Sequence, residues 1–225
     1  CSQSGPGVLR HRSELATARD RTVVAPNNDT LYSSGWFDLR SGDLRLEIPP
    51  MDHPGRYWSV MLLDAFTHVS YVSRRQYGVR GASVRLTYNT RMEHDHTRRA
   101  DTIAIGTPTV WALVRTLVDG PDDLMRSRAV QERIAVNVPP NHPVEPTKRP
   151  PGRPNAVHEA GASFFDELRD ALKIDSPAAW HPQLTPEQQA FLDAGAGPDI
   201  LAAGVALGHA RIQAIGFGSD RSENG

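Results

Sequence analysis

The sequence predicts an α+β, β-rich chain, an antiparallel β-sandwich-like domain followed by a helical C-terminal portion. Three observations carry this. Between residues 22 and 106, apolar and polar residues alternate in short runs separated by turn signals, with no helical periodicity between them. After residue 118, helix-start signals and helical spacing take over. Seven prolines between Pro139 and Pro154 then impose an extended, donor-poor crossing.

Taken in order, residues 1–21 form an N-terminal tether or arm and residues 22–118 the sandwich-like core. Thr30 to Leu39 alternates, with Tyr32, Ser34, Trp36 and Asp38 on one face and Leu31, Ser33, Gly35, Phe37 and Leu39 on the other. Ser41-Gly42-Asp43 is a turn, and Leu44, Leu46 and Ile48 share a face of the next strand, so the two strands make a hairpin candidate. Tyr57 to Asp64 is more apolar and reads as a central strand. Val69 to Ser73, the alternating Val84, Leu86 and Tyr88, and Ile103 with Ile105 supply further strands. Residues 119–138 are predicted helical, because Gly120-Pro121-Asp122-Asp123 places Pro in the first turn and acids at the positive end of the helix dipole, ahead of Leu124 to Ile134. Residues 139–156 are a Pro-rich linker. Residues 157–218 are a helical segment: Phe164, Phe165, Leu168 and Leu172 recur at helical spacing. Thr185-Pro186-Glu187-Gln188 is a capping box, and Pro198-Asp199 opens a last helix. The polar residues 219–225 form a disordered tail.

Composition narrows the function classes. The chain has 225 residues, 39% hydrophobic and 23% charged, with a net charge of -1, which is globular and gives no basic field for nucleic acid. No apolar run reaches the roughly 20 residues a bilayer span needs. The single cysteine, Cys1, rules out an intrachain disulfide framework. Cys1-Ser2-Gln3-Ser4-Gly5 has the pattern of a processed bacterial lipoprotein, which makes Cys1 the candidate lipid anchor and the only expected link to a membrane; a sequence boundary that happens to fall at Cys is the other reading.

The string from Val24 to Leu39, with Asn27-Asn28-Asp29-Thr30 at its centre, resembles the bacterial family catalogued as domain of unknown function 1254. Arg56-Tyr57-Trp58-Ser59-Val60 with Asp64, Thr107 to Trp111 followed by Arg115 to Val118, and Phe164-Phe165 ahead of Leu168 fit the same family in the same order. The resemblance covers roughly Arg10 to Leu207. It implies a β-sandwich-like domain followed by helices in an exported, periplasmic or cell-envelope protein, and it supplies no reaction. Many members continue into a second β-domain, domain of unknown function 1214, whose pattern the sequence does not show.

The candidate site is the Asn27 to Asp38 block, where a small polar molecule would be handled in a cleft. Asn27, Asn28, Tyr32 and Trp36 are candidate ligand contacts, and Arg74, Arg75 and Arg115 candidate clamps for an anionic group. Asp29, Asp38 and Asp64 are candidate catalytic acids for hydrolase or lyase chemistry, with Asp38 and Asp64 forming a carboxylate pair if their strands are neighbours. Each has a plainer structural reading, since Asn and Asp cap turns and arginines pair with nearby acids. Glu93-His94-Asp95-His96 makes His94 and His96 weak metal candidates in a polar loop, and no cofactor motif is found. Two further functions stay open: a non-catalytic envelope protein that binds a small molecule, and an assembly subunit, with a homo-oligomer among its forms.

Overall fold

The computed structural model describes residues 7–17, 20, 27–91, 101–142 and 163–216. Cys1, Pro26, His94, His96, most of the Pro-rich linker and the polar tail lie outside the described residues. The chain divides into two compact units. One is Cys1–Lys148 together with Pro177–His181, and the other is Arg149–Ser176 with Pro182–Gly225.

The first unit is a sandwich of two sheets. β1 (Arg10–Arg12), β2 (Thr30–Asp38), β8 (Thr109–Leu117), β4 (Trp58–Asp64) and β5 (Val69–Ser73) form an antiparallel five-stranded sheet in that spatial order. β7 (Thr102–Ile105), β6 (Ala82–Tyr88), β3 (Leu44–Ile48) and β9 (Ala135–Asn137) form the second. The β6–β7 pair is parallel, unlike the others, and the intervening residues 89–101 are long enough for the crossover this requires. The facing sides interdigitate into one core. Phe37, Trp58, Val60, Leu62, Val110, Ala112 and Val114 from the first sheet meet Leu44, Leu46, Ile48, Val84, Leu86, Ile103 and Ile105 from the second.

Two sequence expectations are corrected. β2 and β3 do not form a hairpin but lie in different sheets. The Asp38 carboxylate accepts the Arg40 N–H at 2.9 Å and caps a tight 3-10 turn, and Gly42 at φ 127°, a conformation that favours glycine, sends the chain across to the other sheet. The predicted helix through Ile134 ends at Gln131 as α2 (Leu124–Gln131), after α1 (Arg74–Tyr77), and Ala135–Asn137 instead pairs with β3. The 1–21 arm also contributes a strand, β1. Buried Gln131 holds α2 in place, its amide donating to the Tyr32 carbonyl at 3.0 Å and the Ser33 hydroxyl at 3.1 Å.

The interior of this unit is tied by one arginine. Arg56 is fully buried and donates to both oxygens of Asp52 (2.8 and 2.6 Å), to both of Asp123, to the Leu117 carbonyl (2.7 Å) and to Ser127 (2.6 Å). Hydrogen bonds from Arg56 hold the Asp123 carboxyl well below the usual range, and lower that of Asp52, against the opposing effect of burial.

The second unit contains α3 (Ser163–Ile174), α4 (Pro186–Ala194) and α5 (Pro198–Gly216). The capping box at Thr185 forms as the sequence predicts, Gln188 N–H to the Thr185 hydroxyl and Thr185 N–H to the Gln188 side chain. Phe165 meets Phe191 edge-on at 5.5 Å, and Leu192, Leu201 and Val205 are buried. Among the described residues no helix is long and apolar enough to cross a membrane.

Candidate functional site

Directly paired residues of an antiparallel sheet point to the same face, so the register of the five-stranded sheet fixes what its outer side presents. Three rows run across β2, β8, β4 and β5. Tyr32, Arg115, Ser59 and Ser73 form the first; Ser34, Leu113, Met61 and Tyr71 the second; Trp36, Trp111, Leu63 and Val69 the third. Rows two residues apart are separated by about 7 Å and strands by about 4.8 Å, so this platform measures about 14 Å each way. It passes from polar at one end, where Ser59 is buried, to aromatic and aliphatic at the other; none of these three rows contains a carboxylate, and the next row beyond Trp36 and Trp111 is Thr109 with buried Asp38.

The side chains are held in this arrangement. Trp36 and Trp111 stack at 5.5 Å with an interplanar angle of 13°, and the Trp111 indole donates to Ser34 Oγ at 2.7 Å. Trp36 and Tyr71 are each 42% exposed, high for such large rings. At the polar end the Arg115 guanidinium lies over the Tyr32 ring, 5.8 Å from its centre, and its Nε is buried with no hydrogen-bond partner. Beside it, Arg12 of β1 is paired with Asp20 at 2.8 Å.

The residues singled out from sequence separate into groups. Tyr32, Trp36 and Arg115 come together on this face. Asn27, Asn28 and Asp29 are exposed at the start of β2. The Asn27 side chain accepts the Asp29 N–H at 3.0 Å, and the Asp29 carbonyl accepts the Val118 N–H at 2.8 Å, so this stretch is a side-chain-closed turn locked to the end of β8. Asp38 lies at the far end of the same strand, about 30 Å away at 3.4 Å per residue. Its carboxylate is engaged by the backbone and guanidinium of Arg40; burial favours the neutral acid, but these hydrogen bonds outweigh it and keep the carboxyl below its ordinary range. Asp64, in β4, is buried. β8 lies between its strand and that of Asp38, and Asp64 pairs with inward-facing Val110 whereas Asp38 pairs with outward-facing Thr109. The expected carboxylate pair is therefore not formed. Arg74 opens α1 and donates to the Pro54 carbonyl, and Arg75 is exposed beside it.

Asp52, His53 and Asp123 approach one another closely enough to hold a metal ion. Both carboxylates are already committed to Arg56, whose fixed charge occupies the place a cation would take. A cavity of about 10 Å³ beside Asp64, His68 and Trp180 and an open depression of about 450 Å³ along Glu47, Tyr77 and Arg80 lie elsewhere.

Sequence reasoning missed Met61, Leu63, Trp111, Leu113 and Tyr71 as members of the face. The alternation from Thr109 to Leu117 was a usable signal. It also missed His181, whose partner Asp64 is far away in the chain.

The family model described as "Protein of unknown function (DUF1254)" matches residues 6–138, and the chain belongs to that family. Among solved structures it is similar to the VPA0106 protein from Vibrio parahaemolyticus, with 17% identity and a TM-score of 0.50 over 84% of this chain and 50% of that one. That likeness bears on the fold, and the chain spans about half the length of the solved relative. No curated protein matches.

Proposed function

We propose that this member of the DUF1254 family is a non-catalytic interaction module of the bacterial cell envelope that docks another protein against the open face of its five-stranded sheet. The observation that carries the reading is the graded platform, the exposed Trp36 stacked on half-buried Trp111 at one end and, at the other, an arginine with no carboxylate partner among the described residues. Small-molecule sites are concave and enclose most of the ligand, whereas flat exposed aromatic surfaces mark protein contacts. The partner surface is apolar opposite the tryptophans and carries a carboxylate opposite Arg115, where a bidentate charge-assisted pair supplies register.

Hydrolase or lyase chemistry needs acids that converge on one bond. Asp29, Asp38 and Asp64 are held apart, at opposite ends of the sheet or on opposite faces. Binding of a small polar molecule by the whole Asn27 to Asp38 block has the same difficulty, because the block runs the length of a strand.

The test is native electrophoresis of the full chain, solubilised mildly from its own cells. The expected result is a complex larger than the monomer that Trp36→Ser with Arg115→Glu dissolves and Glu47→Lys on the opposite sheet leaves intact. A monomer in every case, or equal loss with Glu47→Lys, contradicts the reading.

A further inference from the structure

After α3 the chain contributes five residues, Pro177–His181, to the first unit. His181 is 6% exposed and Ala178 1%. The Ala178 N–H donates to His181 Nδ1 at 2.9 Å, so the ring's proton sits on Nε2, which lies 2.6 Å from Asp64 Oδ2. The Phe66 ring stacks on the imidazole at 4.8 Å, and His68 meets it edge-on at 6.0 Å.

The socket that receives this imidazole is built by residues 64–68 and 106–107 without help from the inserted segment. Asp64 Oδ1 accepts the N–H groups of Phe66 and His68, each at 2.9 Å, which fixes the carboxylate with Oδ2 toward the imidazole. The turn is tight enough to place Thr67 at φ 63°, the one non-glycine residue with positive φ among those described. The Ala65 N–H is held by the Thr107 hydroxyl at 3.0 Å. Gly106 leaves the wall bare: a Cβ there would come within 2.7 Å of His181 Cε1 and 3.1 Å of both Asp64 Oδ2 and Trp180 Cζ2.

The occupant fits imperfectly. Trp180, whose indole Nε1 is buried and unpaired, borders the cavity of about 10 Å³ beside Asp64, room for about one water. A segment joined to its socket by the chain is held at an effective concentration in the millimolar range, so it stays bound with weak affinity of its own.

We propose that Asp64, Phe66 and Gly106 form a peptide-recognition socket for a histidine preceded by an aromatic residue, filled in cis by Trp180-His181 and open to a second peptide of the same chemistry. This rests on observations separate from the sheet-face reading, and either can fail without the other.

The test uses the full chain with His181→Ala, its fold checked by circular dichroism, and a blocked synthetic peptide spanning Ile174 to Leu184 as probe, followed by NMR titration. The variant is expected to bind the peptide saturably with a dissociation constant in the millimolar range or tighter. The wild type, its socket occupied, is expected to bind at least about tenfold more weakly. The same peptide with His181→Ala should not bind the variant. Should His181→Ala not fold, His181→Gln retains a side-chain N–H toward Asp64 and is expected to bind between the two. A folded variant that ignores the peptide, or one that binds both peptides equally, overturns the proposal.

Discussion

On the outer face of the four-stranded sheet, Arg45 donates to Ser83, Ser83 donates to Glu47, and Arg85 lies 3.5 Å from Asp43. On the outer face of the five-stranded sheet the corresponding positions are Trp36, Trp111, Leu113, Met61, Tyr71 and Arg115, which has no ion pair among the described residues. Both faces follow from strand alternation, and both belong to one sandwich with one core. The first satisfies its own charges and is an ordinary solvent surface. The second leaves the large rings of Trp36 and Tyr71 exposed and an arginine without an acid among the described residues, the kind of surface that costs a free protein solubility and that the proposed docking would cover.

The largest expected effect sharpens the contrast between a satisfied arginine and an unsatisfied one. Arg56→Ala strips buried Asp123 of its guanidinium hydrogen bonds, leaving only the exposed Arg126 at 3.2 Å as a cation, and frees Asp52 at the surface; it is expected to cost about 3 kcal/mol in urea unfolding. Arg115→Ala removes no ion pair seen among the described residues and is expected to stay within about 0.5 kcal/mol of the wild type. Near-equal losses would mean that Arg115 is a structural residue and that the two faces differ less than described.

Next comes the aromatic stack. Trp36→Ser forfeits about 0.5 to 1.5 kcal/mol of ring pairing, yet it is expected to raise solubility, because the ring it removes is exposed. Glu47→Ser on the other face should leave solubility unchanged. Precipitation in ammonium sulfate reads both, and a drop in solubility for Trp36→Ser would break the comparison.

Much of this contrast is legible in the sequence, unevenly. The alternation of β2 assigns Tyr32 and Trp36 to one face and Leu31 and Phe37 to the other. β4 gives no such signal, because Trp58 to Asp64 is apolar on both faces, so Met61 and Leu63 read as core. The β2–β3 hairpin failed because a capped 3-10 turn and a glycine at positive φ decide which sheet the chain enters next, and spacing alone does not encode that. β9 is a three-residue strand placed by pairing with β3, and such short pairing overrides a helical pattern. Asp64 is visible as a strand-end acid, but its socket depends on His181, which only tertiary structure brings near.

The smallest effect concerns acid. Burial lowers the affinity of His142 and His11 for a proton, with the nearby acids Asp38 and Glu132 opposing it. His142 lies among Asp38, Ser41 and Phe37, and His11 beside Ser33. The unfolded chain therefore binds protons more readily, so the stability these groups contribute is complete above the unfolded value of about 6.5 and is lost as pH falls below it. Asp123 and Asp52 add to the loss at lower pH, below the ordinary carboxylate value of about 3.9. The melting temperature should fall from pH 7 toward pH 5, and His142→Gln should flatten that slope. A melting temperature that rises on acidification would contradict this assignment.

The central claim is tested most directly by placing the photo-crosslinker p-benzoylphenylalanine at Tyr71 on one face, or at Arg85 on the other, in the full chain expressed in its own cells. A discrete crosslinked product from position 71 and none from position 85 is the result expected. No product from position 71, or equal products from both, would show that the open face is not where this protein meets its partner.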